Sequence, residues 1–147
     1  MVELAATAVI TASSILLFGY WFRYTCLLIL SAKTTRDYAA SVAMANQLGF
    51  LQVPSQLAQG VPLDQLQASL DRDYNVLTYL LKNANSVGDE GIEVRMLRVN
   101  YRVMHAWYGV SRKFSPAAAA RAIEEMSMVV AHFANAMGER ASASAAA

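Results

Sequence analysis

The chain has 147 residues, 56% of them hydrophobic, with 12 Lys plus Arg against 11 Asp plus Glu. That length makes one compact domain the expectation, and the near-neutral charge of +1 argues against a general nucleic-acid binder, whose affinity depends on excess cations facing phosphates. Charged residues make up only 16%, below the roughly 25% of an ordinary soluble domain, and the mean hydropathy of +0.29 excludes disorder and points towards a membrane.

The first predicted element is a membrane helix. Leu4 to Phe22 reads LAATAVITASSILLFGYWF without a charge, and as a helix it extends about 28 Å, close to the thickness of a bilayer's hydrocarbon core. Tyr20, Trp21 and Tyr24 sit where an aromatic belt lies, and Arg23, Lys33 and Arg36 follow, while only Glu3 precedes. The positive-inside tendency then places the N-terminus outside and the C-terminal domain in the cytoplasm. A cleaved signal peptide is disfavoured, because a basic n-region is missing and Leu30 stands where a small residue is wanted. Thr7, Thr11, Ser13 and Ser14 suit a membrane helix if they bond back to its backbone or face a neighbour. Ala5, Ala8, Ala12 and Gly19 form a candidate seam for helix association in lipid. The lone cysteine, Cys26, has apolar neighbours and reads as a small filler.

Helical spacing continues through Leu27, Leu30, Tyr38, Val42, Ala45 and Leu48, predicting one unbroken helix from about residue 3 to 48 with Gly49 at its C′ position. Residues 49–61 read as a loop, since Pro54, Gly60 and Pro62 leave space only for a short turn around Ser55 to Gln59. Residues 62–140 are predicted to form a three-helix bundle. Its first helix opens at Pro62, carries the stripe Leu63, Leu66, Leu70, Tyr74, Leu77, Leu81 and Ala84, and ends over Asn83 to Gly88. Asp71 and Asp73 are expected on its solvated face.

The next helix runs from the acids Asp89 and Glu90 to about Lys113. At 100° per residue one apolar face holds Ile92, Met96, Val99, Val103, Trp107 and Val110, and a second holds Val94, Leu97, Tyr101, Met104 and Tyr108. Between them lies a basic stripe, Arg95, Arg98, Arg102 and His105, continued by Arg112 and Lys113. This stripe is a candidate interaction surface for Glu124 and Glu125 of the last helix, for anionic lipid, or for an acidic partner. Ser115 caps that last helix with Pro116 at N1, and Ala119, Ile123, Met126, Val130, Phe133 and Met137 form its seam. Gly138 is expected to start its unravelling, and the default for the Ala/Ser tail at 141–147 is a frayed end, although alanine this dense can prolong a helix.

No metal cage, phosphate loop or catalytic triad is legible, so neither catalysis nor a cofactor is expected. His105 to Ser111, HAWYGVS, resembles the histidine phosphotransfer motif, with Gly109 and Ser111 in register and Tyr108 where that family has Lys. The resemblance implies a phosphoryl-accepting His105 docking an acidic receiver. A long apolar first helix with an early acid also resembles the type IV pilins, although a basic leader and processing glycine are missing. The sequence as a whole predicts an all-α, single-pass membrane protein with a cytoplasmic bundle. Three helices cannot cover both apolar faces, so the expected role is an accessory or scaffolding subunit contacting lipid and either its own copies or a larger complex.

Overall fold

A computed structural model describes residues 1–32, 37–84 and 91–146. Lys33, Arg36, the end of the predicted helix over 85–88 and the acids Asp89 and Glu90 lie outside the described residues. Those described form six α-helices: α1 (Val2–Ser31), α2 (Ala39–Asn46), α3 (Val53–Ala58), α4 (Leu63–Ala84), α5 (Ile92–Ser111) and α6 (Pro116–Ala146), with a 3-10 turn at Phe50–Gln52. The chain divides into two compact units, Met1–Ala32 and Lys33–Ala147.

In the first unit α1 is a 30-residue helix whose most apolar stretch has no buried residue, long and apolar enough to cross a membrane. Several of its hydroxyls turn inward to their own backbone: Thr7 Oγ1 donates to Glu3 O at 2.8 Å, Ser14 Oγ to Ile10 O at 2.8 Å and Thr25 Oγ1 to Trp21 O at 2.9 Å. These bonds satisfy polar groups that an apolar surrounding would otherwise penalise. Cys26 is buried.

The predicted unbroken helix to residue 48 is corrected, because α1 stops at Ser31 and Ala32 turns extended at ψ 127°. From Ser31 to Asp37 the sequence SAKTTRD carries no large apolar side chain to hold a helix against a core. Asp37 then favours a new start, its Oδ1 accepting the Ala39 N–H at 3.0 Å. Gln47, not Gly49, ends α2 in the left-handed conformation (φ 55°).

The segment 49–61 holds the short helix expected near Ser55, as α3, and a 3-10 turn before it. The 3-10 turn and α3 bury Phe50 and Val53 completely or nearly so, and Pro54 occupies the first turn of α3, where its missing N–H costs nothing.

The second unit is built around α6, which packs against α2, α3, α4 and α5. Small residues make this possible: Ala119, Ala122 and Ala134 are buried along α6 beside Ile123, Met126, Val129, Val130 and Phe133. The predicted α4 stripe supplies Leu66, Leu70, Leu77 and Leu81 to the same core. Each such side chain contributes roughly 1.5–3 kcal/mol when withdrawn from water. Ser115 caps α6 as the sequence predicts, its Oγ accepting the Ala118 N–H at 3.3 Å.

Two expectations for α6 are reversed. Gly138 is buried within the helix, and the helix persists to Ala146 through the dense alanines of the tail. A docked α2 explains the first reversal. Asn135 Oδ1 accepts the N–H groups of both Tyr38 and Ala39 at 2.8 Å, and the Tyr38 ring lies where a Cβ on Gly138 would project. One side chain of α6 thus caps the N-terminus of α2 across nearly the whole unit.

Candidate interaction surface

The polar residues of α4 and α5 meet in a ladder. Asp64, Gln67 and Asp71 recur at helical spacing on α4, and Tyr101, His105, Tyr108 and Arg112 recur on the facing side of α5. At one end Asp64 Oδ1 accepts from the Tyr108 hydroxyl at 2.5 Å and from Arg112 Nη1 at 2.7 Å. At the other, Asp71 Oδ1 accepts from the Tyr101 hydroxyl at 2.6 Å, and Asp71 Oδ2 lies 3.0 Å from His105 Nε2. Gln67 Nε2 is 2.8 Å from the same histidine nitrogen. The Tyr74 ring stacks on that of Tyr101 with centroids 3.9 Å apart, and Tyr74 also leans on Phe133.

Electrostatics follow from these bonds. The Tyr108 hydroxyl and the Arg112 guanidinium hold the Asp64 carboxyl below its usual range. Burial, reinforced by the adjacent carboxylates, pushes the phenols of Tyr101 and Tyr108 up, so both act as donors.

The expectation that Asp71 and Asp73 are solvated is therefore corrected. Asp71 is an interhelical acceptor. Asp73 is 0% exposed on the core face of α4; its Oδ2 accepts the Gly49 N–H at 2.9 Å, and Arg72 reaches its other oxygen at 3.4 Å. The period-3.6 pattern puts Asp73 among Leu66, Leu70 and Leu77, a position that reading apolar residues alone passes over.

The basic stripe divides. His105 and Arg112 turn towards α4, and Glu125 accepts from Asn100 Nδ2 at 3.0 Å. Arg98 is half-buried, whereas Arg95, Arg102 and Lys113 are exposed. A phosphoryl group approaching His105 Nε2 would meet the Asp71 carboxylate 3.0 Å away, a like-charge encounter that phosphotransfer chemistry has to overcome. Among the described residues no three His, Cys, Asp or Glu side chains gather as a metal cage.

The two apolar faces of α5 separate in the same way. Val94, Leu97, Tyr101, Met104 and Tyr108 are buried, but Ile92, Val99, Val103, Trp107 and Val110 remain exposed, joined by Phe114 beyond the helix end. Trp107 is 43% exposed and meets the Phe114 ring edge-on at 6.0 Å. The predicted membrane seam, Ala5, Ala8, Ala12 and Gly19, lies wholly on the exposed or half-exposed surface of α1. A separate groove of about 450 Å³ among α2, α4 and α6 is lined by Val42, Ala45, Leu80, Met137 and Ala141 and has no charged side chain to orient a ligand.

Comparison of the chain with known protein families, with curated proteins and with solved structures finds no match.

Proposed function

We propose that this chain is a non-catalytic, single-pass membrane protein that serves as an accessory or scaffolding subunit of a membrane assembly. The observation that carries the proposal is α1, a 30-residue apolar helix with Thr7 and Ser14 folded onto its own backbone and its most apolar stretch uncovered. In water that surface is costly, and in lipid it is not. Arg23 and the cations that follow it favour an outside N-terminus and a cytoplasmic helical domain. Close approach through Ala5, Ala8, Ala12 and Gly19 brings α1 against another copy or a larger subunit. The polar ladder supports a structural rather than catalytic role, because its acids, phenols and cations are committed to one another. Nucleic acid is not an expected partner at a net charge of +1.

Extraction in mild detergent followed by native mass measurement tests the reading. The expected result is a species larger than a single 16.0 kDa chain. A lone subunit, or recovery as a monodisperse monomer without detergent, overturns it. Protease digestion of sealed vesicles tests orientation, with the helical domain cut only when the cytoplasmic side is open.

A further inference from the structure

The exposed face of α5 combines two features that its buried face lacks. At 100° per residue Ile92, Val99, Val103 and Val110 fall within about 40° of one another, with Trp107 alongside. Arg95 and Arg102 run along one edge of this strip, and Lys113 follows the helix end. An apolar strip with a Trp and a Phe at one end and exposed cations along its border is the pattern of a helix that rests in a lipid interface. We infer that this face docks on an anionic membrane surface, its apolar side chains entering the headgroup boundary while Arg102 and Lys113 meet lipid phosphates.

The inference rests on the membrane-anchored reading of α1, because the anchor supplies the high local concentration that makes a weak surface contact effective. The size of the strip favours lipid over a second copy. From Ile92 to Val110 it is about 27 Å long and one helix wide, roughly 300 Å², whereas a stable protein interface covers roughly 800 Å² on each partner. Lipid demands neither that area nor a complementary shape, and negatively charged headgroups match the cationic border.

The chain's two tryptophans permit a direct test in the full-length protein. Trp21→Phe leaves Trp107 as the reporter, and Trp107→Phe leaves Trp21. Each variant is reconstituted into vesicles of phosphatidylcholine, with or without phosphatidylglycerol, carrying lipids brominated near the top of the acyl chain. Quenching of Trp107 in anionic vesicles, weakened by salt and in neutral vesicles, is the expected result. Arg102→Glu and Lys113→Glu, checked for unchanged helicity, each lower the bound fraction's equilibrium by roughly fivefold or more. An unquenched Trp107 beside a quenched Trp21 overturns the inference and leaves the anchor standing. An unquenched Trp21 overturns the anchor itself. Quenching of Trp107 that is indifferent to lipid charge and to both reversals overturns anionic recognition. Efficient cross-linking between copies through Val103→Cys, in a Cys26→Ala background, assigns the face to self-association instead.

Discussion

Gly138 shows how one missing methyl group sets the distance between two helices. A Cβ there would overlap Cβ and Cγ of Tyr38, so only glycine lets the start of α2 lie flat on α6 with both its N–H groups on Asn135. Gly138→Ala, which on an exposed helix would stabilise, should instead cost about 1–3 kcal/mol through overpacking. Tyr38→Gly, which removes both overlapping atoms, should cost less when introduced into that variant than it does in the parent chain, because the overlap it relieves is already present. Chemical denaturation of the four chains measures this coupling. His132, elsewhere on α6, reports through protonation. Burial holds its pKa below the ordinary 6.5, outweighing the pull of Glu93 and Glu139. The unfolded chain therefore takes up a proton first as pH falls, and stability should decline below about pH 6.5 until the folded-state pKa is passed. His132→Gln should flatten that limb in a series of urea midpoints.

Between α4 and α5 the ladder works in a more acidic pH range. Asp64 has a lowered pKa in the folded state, so its bonds to Tyr108 and Arg112 contribute fully above the usual carboxylate value of 3.8 and are lost as acid protonates the folded form. Asp64→Asn should reduce the fall in stability below about pH 4 and leave the His132 limb unchanged; urea midpoints between pH 3 and 7 separate the two. The helices themselves were legible from periodicity: the leucines of α4, the inner face of α5 and the seam of α6 all lie where spacing put them. What escaped were contacts made by single polar atoms between distant segments. Asn135 capping α2, Asp73 holding Gly49 and Asp71 holding Tyr101 depend on which helices become neighbours, and no local pattern encodes that. The ends of α1 and α2 were missed for a related reason. Apolar positions before Ser31 and after Asp37 fall in helical register although SAKTTRD between them has no large apolar side chain, and Asp37 and Asn135 supply acceptors for a new helix start. The division of the basic stripe is half visible in the sequence: its cations are evident, but of their acids on α4 Asp71 reads as solvated and Asp64 only as a first-turn acid.

The two compact units treat their apolar side chains differently. Side chains such as Phe133, fully buried in the second unit, hold the fold by leaving water, whereas Leu16 on α1 is 74% exposed and contributes no comparable packing within its own unit. The same truncation should therefore have unlike consequences at the two places. Phe133→Ala removes a ring from the junction with Tyr74 and should cost about 3–5 kcal/mol, lowering the thermal midpoint of the helical unit on the order of 10 °C or more. Leu16→Ala should leave that midpoint within about 1 °C, because surface changes away from packed features stay near zero. Its effect should appear in partitioning, as weaker retention of the chain in vesicles at high dilution, since each methylene withdrawn from water is worth about 0.8 kcal/mol. Calorimetry of the helical unit's transition in reconstituted full-length protein, paired with vesicle flotation, separates the two effects. A Leu16→Ala chain that melts early but floats normally would mean that α1 is held by protein rather than by lipid.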